Sequence, residues 1–131
     1  MVNPLYFFAA SLAAAFLLPL VDKLGRKVSL GIVYAVIAAW GGFAAYSIAA
    51  LLGGLSAADF GTAGFVAPLA IVLRVGLEEA LGIAAISVVG LLAAATMGRD
   101  LAKAPIGGAM SLLMVLMGLC GIVLTRDLFN L

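Results

Sequence analysis

The stretch V-S-L-G-I-V-Y-A-V-I-A-A-W-G-G-F-A-A-Y-S-I-A-A-L-L, from Val28 to Leu52, decides the fold. It holds no Asp, Glu, Lys, Arg, His or Pro. At 1.5 Å rise per residue such a run spans about 37 Å as a helix, enough to cross a hydrocarbon core of about 30 Å with some tilt. Working outward, the tight basic turn Asp22-Lys23-Leu24-Gly25-Arg26-Lys27 precedes it, and Leu5 to Val21 forms another apolar run, with Pro19 near its end. On the other side Gly53-Gly54 and Ser56 stop the helix. Leu77 to Met97 and Ile106 to Thr125 are further runs of spanning length, separated by the polar turn Gly98–Pro105. Phe60 to Leu73 is too short and is interrupted by Pro68. A run of that kind is expected to be re-entrant, interfacial or extended.

The expected fold is therefore all-α and integral to a membrane. One membrane domain over residues 1–131 has four transmembrane helices at about 5–21, 28–52, 77–97 and 106–125, with an irregular or re-entrant segment between the second and third. Composition agrees. Of the 131 residues 66% are hydrophobic, and so small a soluble domain could not hide that much apolar surface. Gly and Ala are abundant, which suits helices that approach closely in lipid. Net charge is +1, without a basic tail, so nucleic-acid binding is not expected. The basic residues follow the first apolar run, the reverse of a secretory signal peptide. Lys23, Arg26, Lys27, Arg99 and Lys103 fall on one side of a four-span topology and Arg74 and Arg126 on the other. The excess of Lys and Arg on cytoplasmic loops then places the turns at 22–27 and 99–103 in the cytoplasm and both termini outside the plasma membrane.

Ionisable groups inside a bilayer are costly and mark ion paths. None stands in the middle of a span; every charge lies at a helix end or in a loop. Glu78 and Glu79 are the candidates for the mouth of an ion path, although acidic residues in a first turn also simply complement the helix dipole. Arg74 would pair with Glu78 four residues on, were that stretch helical. Ser47, Ser87, Thr96 and Ser111 read as packing residues whose hydroxyls bond their own helix backbone. Gly90-x-x-x-Ala94 and Gly107-x-x-x-Ser111 offer close-packing faces. The chain has no histidine and a single cysteine, Cys120, a small buried hydrophobe by default. No metal site, cofactor site or catalytic group follows from this inventory.

The chain closes on Leu124-Thr125-Arg126-Asp127-Leu128-Phe129-Asn130-Leu131. This resembles the hinge between the fourth and fifth helices of the antiporter-like proton-pumping subunits, which usually reads L-T-G-D-L-F-N-L. Those subunits occur in respiratory complex I, energy-converting membrane hydrogenases and Mrp-type sodium/proton antiporters. Pro4-Leu5 through Leu20 and Gly25-Arg26-Lys27 look like the family's first helix and basic turn. Ala67-Pro68 through Leu77 is similar to a segment reading P-x-G-I-x-L-x-V-D-x-L-S, but without an Asp after Val75 and with Glu78-Glu79 near the usual Ser. The resemblance implies the first four helices of a longer pump, whose buried glutamate and lysine would lie on a partner chain. Arg126, Asp127, Phe129 and Asn130 would order the junction with that chain. The expected role is an accessory or split, non-catalytic subunit of an ion-translocating oxidoreductase or antiporter complex, bound to other membrane subunits and to lipid. The alternative is an independent homo-oligomeric transporter or channel, against which stand the lack of an internal repeat and of a polar helix break.

Overall fold

A computed structural model describes residues 1–61 and 71–125. Four long helices run back and forth: α1 (Leu5–Val21), α2 (Arg26–Leu52), α3 (Leu77–Thr96) and α5 (Gly107–Leu124). All four are long and apolar enough to cross a membrane. The chain is a multi-pass membrane protein, with four such helices among the described residues. Between α2 and α3 the described residues form two short strands and no helix. Strand β1 (Ala58–Gly61) pairs antiparallel with β2 (Val72–Val75), and Leu73 bridges onto Thr125 at the end of α5. The expected irregular segment is thus a small ladder at both its ends, which supplies partners for backbone groups that no helix satisfies. Its centre, residues 62–70, lies outside the described residues.

The Asp22–Lys27 turn is a single 3₁₀ turn, Asp22–Leu24, closed by Gly25 at φ 140°. A side chain there would be strained, so glycine sets the sharp return into α2. The second basic turn is more ordered than its sequence suggests. Gly98–Lys103 forms a short helix, α4, with Asp100 in its first turn and Lys103 in its last, both favourable to the helix dipole. It buries Leu101 in the same core cluster as Ala109 and Leu113. The two turns are joined where Arg26 Nη2 donates to the Ala104 carbonyl at 2.8 Å.

Each span buries one helical stripe. In α2 it is Ser29, Val33, Ile37, Trp40, Phe43, Ala44 and Ser47; in α3 it is Glu79, Ala80, Ile83, Ser87, Gly90 and Ala94. These two helices pack along most of their length, and Tyr34 Oη donates to the Ala94 carbonyl at 2.8 Å. The remaining faces carry exposed large apolar residues such as Phe16, Val88, Val89, Leu92, Val115 and Ile122. At most a third of any span's central window is buried within the chain, so most apolar surface is left for lipid or neighbouring subunits.

Candidate functional site

α3 begins at the same end of the bundle as the ladder, and there the acidic pair separates into two environments. Gly76 precedes the helix and supplies no side-chain oxygen, so the exposed first-turn amides need another partner. Glu79 turns back and accepts a hydrogen bond from the Gly76 N–H at 3.0 Å. That reciprocal half of a capping box holds its carboxylate buried, at 6% exposure. Glu78 faces outward and is exposed. A methyl on Gly76 would lie 2.6 Å from Glu79 Oε2, so a side chain there would displace the carboxylate from this position.

Arg74 is on strand β2, opposite Asp59 in register, and not on a helix with Glu78. The i,i+4 pairing expected for a helical stretch therefore does not form. Its Nε is buried without a hydrogen-bond partner among the described residues. The ladder brings Asp59, Arg74, Glu78 and Glu79 to one end of the bundle, but only Glu79 becomes part of the packed interior. Arg126, Asp127, Phe129 and Asn130 lie outside the described residues.

The interior contains a polar contact that the sequence reading did not find. Trp40 Nε1 on α2 donates to Ser11 Oγ on α1 at 2.8 Å, and Ser11 Oγ donates to the Phe7 carbonyl at 2.6 Å. Rings of Phe7, Phe8 and Phe43 surround the indole at centroid distances of 5.7, 5.0 and 6.0 Å. Tryptophan's buried N–H needs an acceptor, which was the available signal, but nothing in sequence selects Ser11 over other hydroxyls. Thr96 bonds its own helix as expected, to the carbonyls of Leu92 and Ala93, both at 3.0 Å. Ser47 and Ser87 are buried with no hydrogen-bond partner among the described residues, and Ser111 is exposed. No group of three or more Cys, Asp or Glu side chains suited to a metal ion occurs among the described residues.

This arrangement can pack, cap and anchor; the described spans hold no charged group at mid-depth with which to relay a proton. The four-helix unit is similar in structure to a chain of the membrane-bound sulfane sulfur reductase, an archaeal respiratory membrane complex. The TM-score is 0.81 at 26% identity, over 95% of this chain and 26% of that one. This chain thus spans about a quarter of the length of the chain it matches. No family model and no curated protein matches the sequence.

Proposed function

We propose that this chain is a non-catalytic membrane subunit of a multisubunit, cation/proton-translocating respiratory assembly. The observation that carries this reading is the fit of 95% of the chain to part of one chain of a respiratory membrane complex. The D-L-F-N-L hinge at Asp127–Leu131 supports the finer assignment to the antiporter-like class. In this role the four helices stand beside pumping helices carried by a partner chain and wall them from lipid. Charge-free spans suit that position, because a lipid-facing or packing helix gains nothing from an intramembrane charge and incurs its full desolvation cost.

Glu78 and Glu79 then sit at the mouth of the neighbouring ion path without being its relay, and Arg126, Asp127, Phe129 and Asn130 form the junction with the partner chain. The basic turns at 22–27 and 99–103 face the cytoplasm, and both termini face outward. The test is purification in mild detergent through a tag on this chain, followed by mass spectrometry. Recovery of a large hydrophobic subunit together with redox or antiporter subunits is the expected result. A homo-oligomer free of other subunits would overturn the reading in favour of an independent transporter or channel.

A further inference from the structure

A cavity of about 10 Å³ lies among α1, α2, α3 and α5, lined by Ser11, Trp40, Ser87, Leu113, Met117 and Cys120 among others. We propose that it is a built site for one ordered water molecule, held chiefly by Ser87 and Ser11 and bridging α1 to α3 in the middle of the bundle. Three observations carry this. First, the Ser87 side chain is 97% buried (3% exposed) and its Oγ has no hydrogen-bond partner among the described residues. A buried hydroxyl without a partner loses its hydration with nothing in return. Second, Ser11 Oγ donates to the Phe7 carbonyl and accepts from Trp40 Nε1, which leaves one of its two lone pairs unused. Cys120 adds a weak S–H donor on the same cavity. Third, the volume is at the lower bound for one water, roughly 10–15 Å³, and such a water needs two to four polar partners.

Donor and acceptor arithmetic closes around a water. It donates to the free lone pair of Ser11 Oγ and accepts from the Ser87 hydroxyl and the Cys120 thiol, three bonds within the two to four such a water needs. The other hydroxyl solution is bonding to a carbonyl of its own helix. Ser11, Thr96 and Thr125 adopt it, toward the residue four earlier at 2.6, 3.0 and 2.8 Å, and Ser87 does not. Among the described residues no carboxylate, lysine or arginine lines the cavity, so the water's role is to brace helices. The inference does not depend on which assembly contains the chain.

Radiolytic hydroxyl labelling tests it in native membranes, because a bound water generates its radical beside the residues it touches. The chain in its assembly is pulsed in ¹⁸O-enriched water and read by mass spectrometry, with exposed Met97 as internal reference (48% exposed). Trp40 and Cys120, at 4% and 1% exposure, are expected to take up label despite their burial. Ser87→Val, which removes the hydroxyl and fills the space, should cut that uptake about fivefold relative to Met97 by taking away a principal partner of the water. Ser87→Ala, which cannot overpack, should lower it in the same direction and keeps the test valid if the valine variant fails to assemble. Unlabelled Trp40 and Cys120 beside labelled Met97, or equal uptake in wild type and Ser87→Ala, would overturn the proposal.

Discussion

Trp40 is the residue whose surroundings depend most on its neighbours in space. Its ring packs within one aromatic cluster while its N–H is satisfied by a serine 29 residues away on another helix. Replacing Ser11 by alanine leaves that N–H buried and unpaired, a loss of about 1–3 kcal/mol. The expected result is a lower unfolding midpoint in detergent, and a smaller further loss when Trp40→Phe is added, because the orphaned donor is gone. The acidic pair makes a second prediction. Glu79→Gln preserves an acceptor for the Gly76 N–H, whereas Glu79→Ala should destabilise the start of α3 by about 1 kcal/mol. The double variant Glu78→Gln, Glu79→Gln should assemble normally and reduce ion transport only modestly; abolished transport in the assembled double variant would contradict a packing role. The position of this pair at a helix start was legible from sequence, since carboxylates gather where amides are unpaired. Which of the two is buried was not, because that depends on how the start of α3 packs in three dimensions.

At the scale of elements, small residues decide where helices touch. Gly90 and Ala94 are both buried, as the small-residue spacing suggested, and a methyl on Gly90 would lie 2.8 Å from Leu116 Cδ1 and 3.3 Å from Ile37 Cγ2. Gly107 and Ser111 share the same spacing, yet both are exposed, and nothing lies within 4 Å of a methyl built on Gly107. Gly90→Ala should therefore overpack the junction of α2, α3 and α5 and cost about 1–3 kcal/mol. Gly107→Ala should stay within about 0.5 kcal/mol of wild type, as surface substitutions usually do. Comparing thermal midpoints of the two purified variants checks both; equal losses would mean that the α3–α5 contact is not as close as described. The extended ladder was only partly legible. The shortness of Phe60 to Leu73 argued against a spanning helix, but strand pairing between Ala58–Gly61 and Val72–Val75 depends on register that no local pattern specifies.

At the scale of the whole molecule, charge is divided between the two ends of the bundle. The turn that carries Lys23, Arg26 and Lys27 is tied to the one that carries Arg99 and Lys103 by the Arg26 bond to the Ala104 carbonyl. If this end is cytoplasmic, Lys103→Cys in a Cys120→Ser background should react with an impermeant thiol reagent only in inverted vesicles. Asp59→Cys should react only from the outer side of intact cells; the reverse pattern would invert the proposed orientation. What the sequence by itself determined is a helical chain with four segments long and apolar enough to cross a membrane among the described residues, and the segregation of charge to helix ends. Each follows from local composition meeting the fixed thickness and low polarity of a bilayer. Which face of each helix turns inward was decided by tertiary structure. The spans are apolar on every side, and lipid solvates leucine as well as protein does, so hydropathy cannot mark an interior stripe. Shape and a few hydrogen bonds choose it: the glycine contacts of α3, the indole of Trp40 on Ser11, and the carboxylate of Glu79 folded back on Gly76.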